Sequence, residues 1–169
     1  KNRKEGVKRS NRLDLEIKEV SDFKDFWNSI LIPNLNSKHG VNPVHSLEEI
    51  TQLKASFPSN IRQFNVYKDK KIVAGATVFE TKQVAHTQYI SGNAENNLLG
   101  SLDFLHFHLI KDIFSKKAYF DFGNSNLNNG LKINEGLLYW KEGFGARTIT
   151  QDFYVIDTNK FTELNNVFQ

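Results

Sequence analysis

VAHTQYISGNAENNLLGSLDFLHFHLIKDIFSKKAYFDFG, residues 84–123, is the stretch that decides the fold. Val84 to Ser91 is a strand. Residues 92–97 form a polar loop without periodicity. A long helix follows, with Leu98, Leu102, Leu105, Leu109 and Ile113 on one stripe and Phe104, Phe107, Ile110 and Phe114 on a second. Two stripes give a helix buried over much of its circumference, as when it lies on a sheet. Ala118 to Phe122 is a short apolar strand that stops at Gly123. A helix joining two strands of one sheet makes a right-handed crossover, so these strands should run parallel.

Upstream, Val84 to Ser91 closes an antiparallel meander. Phe64 to Tyr67, the polar turn Lys68-Asp69-Lys70-Lys71 and Ile72 to Glu80 read as a hairpin, and Val84 to Ser91 continues it. Before that, Leu13, Leu15 and Ile17 alternate with charged residues as in a half-buried strand. Ser21 should cap a helix with Phe23, Phe26, Trp27, Ile30 and Leu31 on its core face, which Pro33 should disrupt at its end. Ser46-Leu47-Glu48-Glu49 is a capping box opening a second helix, which should stop before Pro58. Downstream, Asn124 to Gly130 is loop, Asn134 to Glu142 helix and Arg147 to Ile156 a last strand. The expected fold class is α/β, a mixed sheet with an antiparallel meander, a parallel crossover pair and helices on both faces.

With 169 residues the chain can bury one sizeable core, and 14 Phe argue against disorder. It has no Cys, which removes disulfides, thiolate catalysis and Cys-ligated zinc. No apolar run is long enough for a membrane span, and no secretory signal opens it, so a cytoplasmic protein is expected. The start at Lys1 and the lack of any Met suggest a piece of something longer. Residues 1–12 carry six basic side chains against Glu5, a net +5, whereas the rest holds 16 basic and 18 acidic residues, a net −2. The charge is thus an N-terminal arm, read as a solvated linker or as a contact to an anionic partner. Residues 13–169 form a single domain.

The best place for chemistry is the end of the strand Val84 to Ser91, where it runs through Gly92 into the long helix. Helix N-termini favour anions such as a diphosphate, and Gly92 and Gly100 let the backbone come close; a plain connector reads equally well. His106 and His108, two apart on a helix, point to different faces, and His39, His45 and His86 lie on separate elements, so no metal site is expected. Gly-x-Ser-x-Gly and Gly-x-Gly-x-x-Gly are both missing, which leaves a hydrolase elbow and a dinucleotide fold without support.

Over residues 13–157 the element order resembles the GNAT acetyltransferase fold. The segments Tyr119-Phe120-Asp121-Phe122-Gly123 and Asn134-Glu135-Gly136-Leu137-Leu138-Tyr139-Trp140-Lys141-Glu142-Gly143-Phe144-Gly145-Ala146-Arg147 are similar to the GNAT-like domain of Fem-type peptidoglycan aminoacyltransferases and their bacterial FemAB-like relatives. The basic arm resembles the segment joining the two GNAT-like halves of such proteins, which implies a preceding GNAT-like domain in the same chain. The resemblance implies acetyl coenzyme A as acyl donor, seated between two splayed central strands. Its diphosphate would lie on the loop Gly92 to Ser101, at Gly92, Asn97, Gly100 and Ser101. In the family's loop pattern Gly100 matches, whereas Asn97 stands for Gln or Arg, Leu102 for a small residue, and Glu95 adds an unfavourable charge.

The resemblance further implies that amides near Ile90 and Ser91 polarise the thioester carbonyl. Tyr139, four residues before Gly143-Phe144, would be the general acid for the thiolate, or else a buried structural Tyr. For the general base, Glu80, Gln88 and Tyr89 lie on the central strands, and Glu80 also reads as hairpin surface charge. The function expected first is transfer of an acetyl or related acyl group from acyl-coenzyme A to an amine on a small molecule or peptide. A Fem-like half using aminoacyl-tRNA is the second reading, with the arm on the tRNA phosphates, and a non-catalytic substrate-binding half the third.

Overall fold

A computed structural model describes residues 2–128, 130–150, 152, 154–155 and 157–166. In chain order they form α1 (Asn2–Arg12), β1 (Glu16–Val20), α2 (Lys24–Phe26), α3 (Ile32–His39), α4 (Leu47–Ser56), β2 (Ile61–Lys68), β3 (Lys71–Glu80), β4 (Val84–Gly92), α5 (Asn96–Leu99), α6 (Ser101–His108), β5 (Tyr119–Asp121), β6 (Asn126–Leu127), β7 (Lys132–Ile133) and α7 (Glu135–Glu142). Five strands make one sheet in the order β1-β2-β3-β4-β5, antiparallel except for the parallel pair β4–β5. The expected meander and crossover are both there.

Each face of the sheet carries its own core. Phe64, Val66, Ala74, Ala76, Val78 and Ala85 pack against Leu99, Leu105, Leu109 and Phe114 from the α5–α6 side. On the other face Ile61 and Tyr89 pack against Phe23, Phe26, Trp27, Ile30, Leu31 and Ile50. All five core-face residues expected of the first helix are buried. At roughly 1.5–3 kcal/mol for each large apolar side chain, this aromatic face supplies much of the stabilisation on that side.

Local sequence signals explain several boundaries. Ser46 Oγ accepts from the Glu49 amide at 3.1 Å and Glu49 Oε2 from the Ser46 amide at 2.7 Å, closing the capping box. Asp69 and Lys70 both take positive φ, as a two-residue hairpin matched to strand twist requires. Asn134 caps α7 by accepting from the Leu137 amide at 3.0 Å.

Other expectations are corrected. Ser21 does not cap the first helix; Asp22 Oδ1 accepts from the Lys24 amide at 3.1 Å, and the helix starts later. Pro33 does not end it. Trp27–Leu31 forms a wide π turn, with the Ile32 amide bonded to the Trp27 carbonyl, and Pro33 falls in the first turn of α3, where its missing N–H leaves no bond broken. The long helix does not run from Leu98: Gly100 has φ 72° and separates α5 from α6, whose end widens into a second π turn over Leu109–Ile113. The loop 124–130 contains β6, paired with β7 in a small hairpin. The strand expected over 147–156 is not formed among its described residues: Ile149, Tyr154 and Val155 are exposed, so their alternation finds no sheet edge to pair with. Residues 151, 153 and 156 of that stretch lie outside the described residues.

The largest correction concerns the basic arm, which was expected to pack poorly. Asn2–Arg12 is a helix lying on α6. Ser10 is fully buried, and its hydroxyl contacts the Gly6 and Leu99 carbonyls at 3.1 and 2.7 Å. Gly6 lets the helices touch, because a Cβ there would stand 2.8 Å from the Asp103 Cβ. Arg3 pairs with Asp103 at 2.5 Å, and Arg9 donates to the Asn97 carbonyl at 3.1 Å. The charge is spent partly on this docking.

Candidate active site

The parallel pair is short. β4 and β5 share three rungs, Val84↔Tyr119, Ala85↔Phe120 and His86↔Asp121, and then part. Two features drive them apart. The β3–β4 register passes from Val78↔Thr87 to Thr77↔Tyr89, so Gln88 is an extra residue, a bulge that bends β4. Beyond Asp121, Gly123 takes φ 68° and turns the chain away. Past the His86↔Asp121 rung the C-terminal half of β4 has no β5 partner, a gap in the strand pairing at the place the sequence singles out for chemistry.

At the mouth of that gap His86 Nδ1 lies 2.7 Å from Asp121 Oδ2, and His86 Nε2 lies 3.2 Å from Gln88 Oε1. Asp121 Oδ1 accepts from the Gly123 amide at 2.7 Å, and the Asp121 carbonyl accepts from Thr87 Oγ1 at 3.0 Å. Partial burial works to raise the Asp121 pKa, but the Gly123 amide and His86 outweigh it and hold the carboxyl below its ordinary value. From α7 the buried Lys141 sends its Nζ to the Gly123 and Asn124 carbonyls at 2.8 and 2.6 Å. Burial pulls the Lys141 pKa down to about 8, with the charge of Asp121 acting in the opposite sense.

The other candidates fall in different places. Glu80 pairs with Lys117 at 2.8 Å and Arg62 at 3.1 Å, and Arg62 also binds Glu19 at 2.7 Å. Burial acts to raise the Glu80 pKa, but Lys117 and Arg62 prevail and keep it below the usual range. Glu80 sits opposite Ala85, whereas Gly75 sits opposite Ser91. Five residues of strand, roughly 16 Å at ~3.3 Å each, separate it from that end of β4. It is a surface ion-pair residue, and the structure does not bring it to Ser91. Tyr89 is an unsuitable base as well: burial pushes its pKa up, and its hydroxyl accepts from the His45 amide at 3.1 Å. Tyr139 is 63% exposed, so it is not the buried structural Tyr of the alternative reading. Two residues of helix set it about 200° round from Lys141, which reaches the chain just beyond β5.

Ile90 and Ser91 lie on β4 where it has left β5, with the Ser91 hydroxyl held by Asn34 Nδ2 at 2.8 Å. Gly92 ends the strand, and Asn96 folds back over it, 2.9 Å from where a Cβ would be. Asn96 Oδ1 then accepts from the Ser101 hydroxyl at 2.8 Å and the Leu102 amide at 3.0 Å, capping α6 from inside its own loop. Asn97 and Gly100 border a cleft of about 280 Å³ together with Arg3, Arg9, Asn96, Asp103 and Trp140. That volume and the two guanidinium groups suit a phosphate-bearing group, against the opposing charge of Asp103 and of Glu5, which also lines it. Gly100 serves α1 first: a Cβ on it would stand 2.5 Å from the Gly6 carbonyl oxygen. Among the described residues no group of three or more His, Cys, Asp or Glu could hold a metal ion, and no helix is long and apolar enough to cross a membrane.

Sequence reasoning missed the His86–Asp121 pair. The available signal was Asp121 at the end of a strand parallel to the one carrying His86, but their pairing depends on register.

No family model matches the chain, and no curated protein matches it in sequence. Solved structures do share its fold. An acetyltransferase of Trypanosoma brucei has a TM-score of 0.57 at 18% identity, over 85% of this chain and 99% of its own. An aminoglycoside acetyltransferase from an uncultured soil metagenomic sample, in complex with sisomicin, has a TM-score of 0.59 at 13% identity, over 87% of this chain and 99% of its own. The C-terminal DUF2156 domain of an Agrobacterium fabrum protein assigned as a lysylphosphatidylglycerol synthetase has a TM-score of 0.53 at 20% identity, over 73% of this chain and 40% of its own. The chain has the GNAT acyltransferase fold.

Proposed function

We infer that the chain is a GNAT-type N-acyltransferase, moving an acetyl or related acyl group from acyl-coenzyme A to an amine on a small molecule or peptide. The observation that carries this reading is the end of the β4–β5 pairing after His86↔Asp121, beside the bulge at Gln88. A gap between adjacent parallel strands accepts a narrow acyl-bearing arm alongside backbone amides. The amides near Ile90 and Ser91 would then meet the thioester carbonyl and stabilise the oxyanion formed on attack. The cleft beside Asn97 and Gly100 would hold the donor's phosphates, with Arg3 and Arg9 supplying the charge that Asn97 lacks.

Isothermal titration with acetyl-coenzyme A tests the donor. Saturable binding, weakened when Arg9→Glu reverses the charge beside Asn97, supports the reading, and no heat at millimolar ligand overturns it. A variant at Gly100 is a poor probe, since any side chain there collides with α1 whatever the ligand.

The second reading is a Fem-like half that takes an aminoacyl group from tRNA, following a preceding GNAT-like domain. The six basic side chains of residues 1–12 favour it. Transfer from aminoacyl-tRNA but not from acetyl-coenzyme A would establish it over the first.

A further inference from the structure

We propose that His86 is the general base of the acyl transfer and that Asp121 positions it. The proposal rests on the acyl-transfer reading and adds to it the residue that handles the acceptor's proton.

The pair occupies the last rung that β4 and β5 share, so it stands where the gap opens. Directly paired residues on neighbouring strands face the same side, and His86 is opposite Phe79, which packs with the α2–α4 core. The imidazole, one-third exposed, therefore borders the gap on the helix-covered face rather than on the α6 face. Its orientation is fixed from both nitrogens. Nδ1 meets Asp121 Oδ2, and Nε2 meets the side chain of Gln88, two residues on along the same strand. The carboxylate is itself held by the Gly123 amide, and the Thr87 hydroxyl holds the Asp121 backbone carbonyl. Lys141 of α7 faces the pair through Asp121, and the neutral-or-charged imidazole nearest it on that face, His45, is engaged by the Tyr89 hydroxyl.

The step balances without an outside reagent. The amine nitrogen bonds to the thioester carbon, and His86 Nε2 takes one proton from that nitrogen. The tetrahedral intermediate then collapses, the C–S bond breaks, and the departing thiolate takes the proton, which restores neutral His86. An ordinary cross-strand pair at a sheet edge would show similar distances, so the test must read proton transfer.

The chain has no Cys, so thiol release from acetyl-coenzyme A can be followed with a thiol reagent free of protein background. Spermidine, kanamycin and a lysine peptide serve as probe acceptors. His86→Gln, which keeps a hydrogen-bonding amide, should lower kcat about 100-fold or more at pH 7. Its acetyl-coenzyme A affinity by titration should stay unchanged, and activity should recover as rising pH frees the amine. Asp121→Asn still accepts from Gly123 but loses the charge. It should slow turnover by about tenfold or more and move the acidic limb of the rate profile to lower pH, a shift that a structural role would not produce. Turnover of His86→Gln within threefold of wild type, or an unmoved limb in Asp121→Asn, overturns the proposal while leaving donor binding standing. A wild-type protein that neither binds acetyl-coenzyme A nor releases thiol overturns the acyl-transfer reading and the base with it.

Discussion

His106→Phe should make the protein far less sensitive to mild acid. His106 is fully buried against a wall of rings: it stacks on Phe122 at 5.6 Å and meets Trp140 edge-on at 4.8 Å, with Phe120 and Phe144 within 6.3 Å. Its Nδ1–H donates to the Leu102 carbonyl at 2.9 Å, and its Nε2 has no hydrogen-bond partner among the described residues. Burial lowers its pKa from 6.5 to about 4; the Leu102 bond resists the shift and Lys141 adds to it. Below pH 6.5 the unfolded chain protonates this imidazole while the folded chain cannot until about pH 4. Folding stability therefore falls through that window as pH drops, and the contribution is complete above it. At pH 4.5 most of the shift is expressed, on the order of 2–3 kcal/mol. The Phe ring fills the same slot without a proton site. At pH 7 the lost Leu102 bond and the relieved orphan nitrogen should roughly cancel, to within about 1 kcal/mol. Urea unfolding of both proteins at pH 7 and pH 4.5 gives the double difference, in which the acid loss common to the carboxylates drops out. Equal loss in wild type and variant would refute the reasoning.

Gly6→Ala tests the docking of α1 by the sign of its effect. A free helix gains up to ~1 kcal/mol from the change, whereas the docked one must push a methyl into Asp103 and should lose about 1–3 kcal/mol in thermal unfolding. Glu80→Gln should cost about 1 kcal/mol of stability through Lys117 and Arg62, and Tyr139→Phe less than that. Both should keep thiol release within twofold of wild type, and a hundredfold loss in either would return that side chain to the catalytic site.

The sequence by itself determined whatever a few neighbouring residues can settle. Ser46 and Glu49 close their box within one turn, Asp69-Lys70 sets its hairpin, and the apolar stripe from Leu102 to Leu109 picks the α6 face that meets the sheet. The long helix between two strands was enough to give the parallel pair and with it the fold class. Only the tertiary structure decided what depends on register and on distant partners. The bulge at Gln88 appears only once β4 is laid against β3, and it sets which residues of β4 pair with which of β3. His86 and Asp121 are 35 residues apart and meet because three parallel rungs align them. The basic arm reads as solvated because charge dominates its composition, yet Gly6 and Ser10 give it one narrow face that fits against Leu99, Gly100 and Asp103. Glu80 reads as a base candidate or as hairpin surface charge because its neutralising partners, Arg62 and Lys117, come from β2 and from the turn before β5. Local pattern fixes elements because its interactions lie within a few residues, whereas a site is made of side chains that only chain folding brings within hydrogen-bond reach.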